Sequence, residues 1–295
     1  MSTDPAFLTA ETPIVEASSP RRWRWHRSPS LVAGGSLILL VVLMAVISYF
    51  WTPYDPTDVD PAVRLQGPSV EHWLGTDALG RDVFSNLLTG ARVTLLVGLI
   101  SVGVGALIGV PLGIAAAASR PWVSQTTQRS VDLLLAFPAL LLAIAFGAIW
   151  GASTLTAMLA IGIATAPIFA RLARSGTLQV LATEYVPAAR IAGHGTVYIV
   201  NRHVLPNIFG LLIIQASVTF GIAVLAESGL SYLGFGTPPP TPSWGLMLQQ
   251  AQPLLYSQPL LSFWPAAAIV VAVLGFNLLG DGLRDHYDPR LDDRR

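Results

Sequence analysis

Few residues in this sequence are of types that carry chemistry, and their spacing is as informative as their number. The five histidines stand at positions 26, 72, 194, 203 and 286, none at ligand spacing from another histidine or a carboxylate on one helix face, so no metal set is spelled out. Cysteine and lysine are both absent. Without lysine the chain cannot supply the phosphate-reaching residue of a P-loop ATPase, and it contains neither a GxSxG elbow nor an HExxH pair. Asp55, Asp58 and Asp60 are close in sequence but lack the glycine-turned loop of a calcium site, so they read as a solvated acidic loop. Gly103, Gly105, Gly109 and Gly113 lie inside an apolar run and not between a strand and a helix. Their spacing of four therefore predicts a flat helix-packing face and no nucleotide turn. The expectation is no catalytic residue, no metal site and no cofactor bound by the chain itself.

The elements that hold these residues are set by composition. Of 295 residues, 53% are hydrophobic and 12% charged, against about 25% charged in a soluble domain. A hydrocarbon core needs about 20 apolar residues per crossing. The runs Leu31 to Trp51, Val93 to Ser119, Leu133 to Ala170, Val204 to Ala226 and Leu261 to Leu279 meet that length, and the third splits into two at Gly151 to Thr154. The predicted fold class is an all-α integral membrane protein with six transmembrane helices, since lipid forces every backbone group to be satisfied within its own segment. The first run follows four arginines, but it is too long for a secretory signal and ends in bulky Tyr49, Phe50 and Trp51, so it reads as a retained helix. The zero net charge argues against a nucleic-acid partner.

Arginine placement orients the bundle, because basic residues stay on the cytoplasmic side. Four precede the first run, two (Arg120, Arg129) lie between the second and third, four between the fourth and fifth, and four after the sixth. Only Arg64, Arg81 and Arg92 fall in the other connections. Both termini are thus expected in the cytoplasm. The expected organisation is a tail over 1–30, disordered at its start, a permease domain over 31–283 and a tail over 284–295. Within the domain lie an outer loop at 52–92, a cytoplasmic loop at 171–207 and a second outer loop at 228–260. An amphipathic interfacial helix is expected over Gly80 to Val93, and bends at Pro111, Pro138 and Pro167. Asp132, Glu227 and Asp281 fall at expected helix ends, leaving the helix middles uncharged. A carrier driven by an ion gradient, the alternative reading, ordinarily keeps carboxylates or histidines near the midplane. The chain reads as a pathway without its own engine.

One stretch stands apart: EYVPAARIAGHGTVYIVNRHVLPN, Glu184 to Asn207. Together with Arg171 and Arg174 it is too charged for lipid and too long for a simple connection. Pro187 is expected to start a short helix that Ala188, Ala189 and Ala192 keep slender. Gly193 and Gly195 would turn the chain, Thr196 would cap the return helix, and Pro206 would open the fifth crossing. The result is an elbow with a small-residue tip. Spacing alone leaves two readings: a tip that enters a groove on another protein, or a solvated hairpin.

The run Ala188, Ala189, Gly193, Leu205 and Pro206 resembles the "EAA" signature of ABC importer permeases, whose loop forms a coupling helix seated in a cleft of an ATPase subunit. HWLGTDALGRDVFSNLLTGARVTLLVG (72–98), ESGLSYLGFGTPPPTPSWG (227–245) and FNLLGDGLRDHYDPR (276–290) are similar to the dipeptide/oligopeptide/nickel class, specifically its C-type permease subunit. The resemblance implies a permease of a bacterial or archaeal cell membrane that imports dipeptides, oligopeptides, glutathione-like peptides or nickel chelates. It would work with a homologous B-type permease, an extracytoplasmic solute-binding protein and two ATPases that use ATP and magnesium, and would itself contact membrane lipid. It assigns ATPase coupling to Glu184, Pro187, Ala188, Ala189, Arg190, Gly193, Leu205 and Pro206. Pro187 stands where the family often has glutamate, and Glu184 matches the acidic position of the peptide-class variant. Gln215, Thr219 and Asn277 are candidates for the pathway wall or for bonds between helices. Trp244 and Tyr256 are read as packing or interface anchors, beside a loop stiffened by the prolines at 238–240.

Overall fold

The computed structural model describes residues 29–287, with side chains to 285, so the expected tails over 1–28 and 288–295 lie outside the described residues. The main helices are α1 (Pro29–Phe50), α2 (Val83–Ala118), α3 (Pro121–Ala136), α4 (Ala139–Trp150), α5 (Thr154–Leu181), α6 (Tyr185–Ile191), α7 (Thr196–Ile199), α8 (Leu205–Tyr232), α9 (Trp244–Ala251) and α10 (Pro259–Tyr287). Among the described residues there is no strand, only an isolated bridge between Thr76 and Asp82. Among the described residues five helices are long and apolar enough to cross a membrane, and α3 with α4 meets the same test only as a pair bent by 82°.

That bend sharpens what the proline promised. Phe137 is extended (φ −82°, ψ 129°) because the ring of Pro138 crowds the helical geometry of the residue before it. α4 has 12 residues, about 18 Å at 1.5 Å per residue, too short to cross alone. The expected break at Gly151 to Thr154 is one residue shorter, with Gly151 at φ +88°, Ser153 capping α5 and Thr154 already its first helical residue. Pro111 and Pro167, by contrast, sit inside unbroken helices.

The expected interfacial helix is not separate. Residues 83–92 are the first turns of α2, capped by Asp82, whose side chain accepts from the Ser85 N–H. Val83 and Ser85 to Ala91 are buried, so this stretch faces protein and not the membrane surface. Arg92 is satisfied inside the bundle by the Ser48 hydroxyl and by the Tyr49 ring, 4.1 Å from its guanidinium carbon. Similarly, α5 runs on through Arg171 and Arg174 to Leu181, because Asp132 and Ser124 of α3 take up those guanidinia at 2.7 and 3.0 Å. Charge ends a lipid span, but it does not end a helix.

Glycine sets the closest contact. A Cβ at Gly105 would lie 2.6 Å from Thr165 Oγ1, one at Gly109 2.7 Å from Phe169 Cβ, and one at Gly113 2.9 Å from Ala173 Cβ. The matched order of these pairs shows α2 and α5 running parallel with touching backbones, as the four-residue glycine spacing predicted. α1 and α10 pair in opposite sense, with Gly34 against Gly275 and Leu279, and Gly282 against Leu31. α8 is antiparallel to α10, with Gly221 beside Val273 and Asn277, and Gly280 beside Ser217. The first turn of α1, the last turn of α10 and the α5–α8 connection therefore share one end of the bundle.

Candidate functional site

The α5–α8 connection is a helical elbow. α6 begins at Tyr185, two residues before the expected start, with Pro187 in its first turn, where backbone N–H groups have no intrahelical partner for a proline to disrupt. Its exit is a Schellman motif: Gly193 N–H donates to the Arg190 carbonyl at 3.0 Å, and His194 N–H to the Ala189 carbonyl at 3.1 Å. Gly193 has φ +85°, the reason glycine is needed there. Gly195, not Thr196, is the N-cap of α7, and Thr196 is its first helical residue. Nor does Pro206 open a new helix. The chain winds on from α7 through a π turn, Val200–Val204, into α8, with Pro206 in the first turn of α8. Proline cannot donate to the Arg202 carbonyl and its ring crowds it, so the turn widens and Leu205 N–H reaches back to Val200. π turns concentrate at functional sites.

The elbow is held from beneath. Val186, Ile199, Val204 and Ile208 are buried in one cluster with Ile114, Ala173 and Val180. His194 stacks on Tyr198 at 3.9 Å, and His203 lies against Tyr185 at 5.4 Å, tying the two arms together. Everything above that anchor is open. Glu184, Pro187, Ala188, Arg190 and Gly193 are exposed, Ala189 and Leu205 are half-buried, and Pro206 is exposed at the base of the return arm. Ile191 is 89% and Val197 74% exposed. The structure thus leaves Glu184, Pro187, Ala188, Arg190 and Gly193 exposed on the elbow, whereas Leu205 and Pro206 sit at its root.

The pathway candidates are arranged differently. Gln215 Nε2 donates to Thr219 Oγ1 at 3.1 Å, a bond along α8 itself and not between helices. Thr219 is buried, Gln215 half-buried and Asn277 exposed on α10.

The opposite end carries a polar framework that sequence reasoning missed. His72 Nδ1 lies 3.0 Å from Asp82 Oδ1, both buried, and the other carboxylate oxygen of Asp82 accepts from the Ser85 hydroxyl at 2.7 Å. The only signal was that both fall in the block from His72 to Gly98; nine residues of loop separate them, so no helical spacing betrays the pair. Glu227 is another correction: α8 continues to Tyr232, so this carboxylate is inside the helix and 0% exposed. Its Oε1 accepts from the hydroxyls of Ser231 at 2.6 Å and Thr237 at 3.3 Å, which fastens the loop after α8 to the helix. Thr154, the first residue of α5, donates to Thr237 at 3.2 Å. Trp244 is a packing residue and not a membrane-interface anchor: it is wholly buried and its indole N–H donates to the Leu87 carbonyl at 3.0 Å. Trp244→Phe keeps an aromatic ring but loses the donor and half of the indole at a wholly buried site, and is expected to lower stability by about 1–3 kcal/mol, measured as a fall in Tm in detergent.

The described residues thus form a bundle of five spanning helices and one bent pair, with an exposed helical elbow between α5 and α8. The chain belongs to the family of binding-protein-dependent transport system inner membrane components, which it matches over residues 109–293, and residues 21–68 match the N-terminal TM domain of oligopeptide transport permease C. It is 40% identical over 291 residues to the glutathione transport system permease protein GsiD of Pectobacterium atrosepticum, covering 96% of this chain and 97% of that one. It is likewise 40% identical to the dipeptide transport system permease protein DppC of Alkalihalophilus pseudofirmus, over 88% of this chain and 86% of the relative. Its fold resembles the inward-facing MetNI methionine ABC transporter, with a TM-score of 0.58 and 21% identity over 69% of this chain and 97% of that one. The protein is a multi-pass membrane permease subunit of an ABC importer.

Proposed function

We propose that this subunit forms half of the translocation pathway of an ATP-driven importer of dipeptides, oligopeptides or glutathione-like peptides, and that its elbow receives the work of a partner ATPase. The observation that carries this reading is the elbow's combination of a rigid buried root and an exposed tip of small and apolar residues, Ala188, Ile191 and Val197. Such a tip can enter a cleft on another protein, and apolar surface left in water at a loop is a mark of an interface. The elbow is continuous with α5 and α8, so a push on it tilts both crossings as rigid bodies. Arginine distribution supports a cytoplasmic elbow, with both termini on the same side. Glu184 and Arg190 supply its charged contacts, and Gln215, Thr219 and Asn277 are offered to the pathway facing the second permease. Hydrolysis of ATP with magnesium belongs to the ATPase partners, as this chain has no lysine for a P-loop.

The test is uptake of a labelled dipeptide or glutathione into proteoliposomes. With the second permease, two ATPases and the binding protein present, uptake is expected to require ATP and no ion gradient. Uptake by this chain alone under an ion gradient, without nucleotide, would overturn the proposal.

A further inference from the structure

α3 is held to the bundle by few side chains: of its 16 residues only Ser124 and Val131 are buried. Helical spacing divides the rest into two open faces. Trp122, Thr126, Ser130 and Leu133 follow one another on one of them, all exposed. The Thr126 and Ser130 hydroxyls are spent on the Trp122 and Thr126 carbonyls at 2.9 and 3.1 Å, so they make no demand on their surroundings and this face suits hydrocarbon. Gln125, Gln128 and Asp132 stand three and four residues apart on another face. There Gln128 Nε2 donates to Asp132 Oδ1 at 3.1 Å, and the same oxygen receives Arg171 of α5 at 2.7 Å. The ion pair is open, with the Arg171 and Asp132 side chains 55% and 52% exposed.

Depth decides what this polar face meets. α5 ends at Leu181, so Arg171 lies about 15 Å before the elbow at 1.5 Å per residue, in the elbow half of the crossing. Charges at that depth are costly against lipid and turn to water or to polar protein. An exposed ion pair holds its partners weakly. α3 turns on the extended Phe137 at the 82° bend, and its other polar tie to α5 is Arg174 on Ser124, so the pair can part without unpacking a core. Once parted it offers a guanidinium and a carboxylate to one space. Those are the counter-charges of the two ends of a zwitterionic peptide, and a dipeptide is short enough, about 7 Å when extended, to lie between them. We infer that the Gln125–Gln128–Asp132 face lines the elbow half of the translocation pathway, and that Arg171 and Asp132 form a site there for the carboxylate and ammonium ends of a zwitterionic peptide. The inference rests on the permease reading above and adds a wall of the pathway and the chemistry by which it meets substrate.

The experiment uses the assembled transporter in vesicles and has two arms. The chain has no cysteine of its own, so Gln125→Cys and Leu133→Cys place one thiol on each open face. A charged, membrane-impermeant thiol reagent applied from the elbow side is expected to modify Gln125→Cys and to leave Leu133→Cys unmodified. In the second arm, labelled dipeptide uptake is expected to fall about tenfold in Arg171→Gln or Asp132→Asn, with the basal ATPase rate intact, and to recover largely in Arg171→Lys. The double variant Asp132→Leu with Arg171→Met removes both charges together. A pair that only ties α3 to α5 tolerates that exchange with little loss, whereas a site for peptide ends is expected to lose uptake by about 100-fold while the complex still copurifies. Wild-type uptake in the double variant overturns the site and leaves the importer reading intact. A Gln125→Cys thiol that stays unmodified in the assembled transporter also overturns it, by assigning the polar face to a contact between subunits. Uptake by the wild-type chain alone without nucleotide removes the importer reading and the site with it.

Discussion

An assembled transporter carrying Ala188→Trp in this subunit is expected to lose uptake by about 100-fold, the equivalent of about 2.7 kcal/mol at one docked contact, while the chain still inserts and copurifies with its second permease. Ala188 is exposed on α6, and the side chains that hold the elbow to the bundle are others, Val186, Ile199 and Val204. A large ring there disturbs what approaches from outside without disturbing the fold. Gly193→Trp probes the same surface less cleanly, because it forces a side chain onto a backbone at φ +85°, with a local cost of about 1–2 kcal/mol. Arg190→Glu separates charge from bulk and is expected to impair coupling in a salt-dependent way. Retention of uptake and of substrate-stimulated ATPase by Ala188→Trp would remove the elbow from the coupling path.

The second large effect is expected in the α2–α5 seam. Gly109→Leu would put its Cβ 2.7 Å from Phe169 Cβ and 2.9 Å from Ala170 N. Overpacking a yielding core costs about 1–3 kcal/mol, and here the obstacle includes the backbone of a parallel helix that cannot step aside alone. The variant is expected to lose most of its monodisperse yield in detergent and to unfold well below wild type. Gly103→Leu is the matched control, since nothing lies within 4 Å of its ideal Cβ. Equal Tm values for the two variants would show that the seam does not depend on close glycine contact.

Much of this protein was legible before any coordinates. Length of apolar runs announced the five spanning helices and the bent pair α3–α4, because hydrocarbon thickness sets a helix length and leaves the backbone no alternative. The four-residue repeat of Gly105, Gly109 and Gly113 announced a packing face, and the polar, glycine-turned stretch after Thr183 announced an elbow. These are local properties, in which residues a few positions apart decide the outcome. Helix boundaries were less legible for the same reason. A lone arginine looks like the end of a crossing until Ser48, Asp132 or Ser124, tens of residues away, proves to receive it.

Only the tertiary structure decided the rest. The bonds from Trp244 to Leu87 and from Thr154 to Thr237 join groups that the chain holds 157 and 83 positions apart, and the His72–Asp82 and Glu227–Thr237 contacts each close ten positions across a loop that no helical spacing records. Periodicity records which face of a helix avoids water. It carries no record of which distant donor that face will meet, since that depends on how the bundle closes and not on any spacing within one segment.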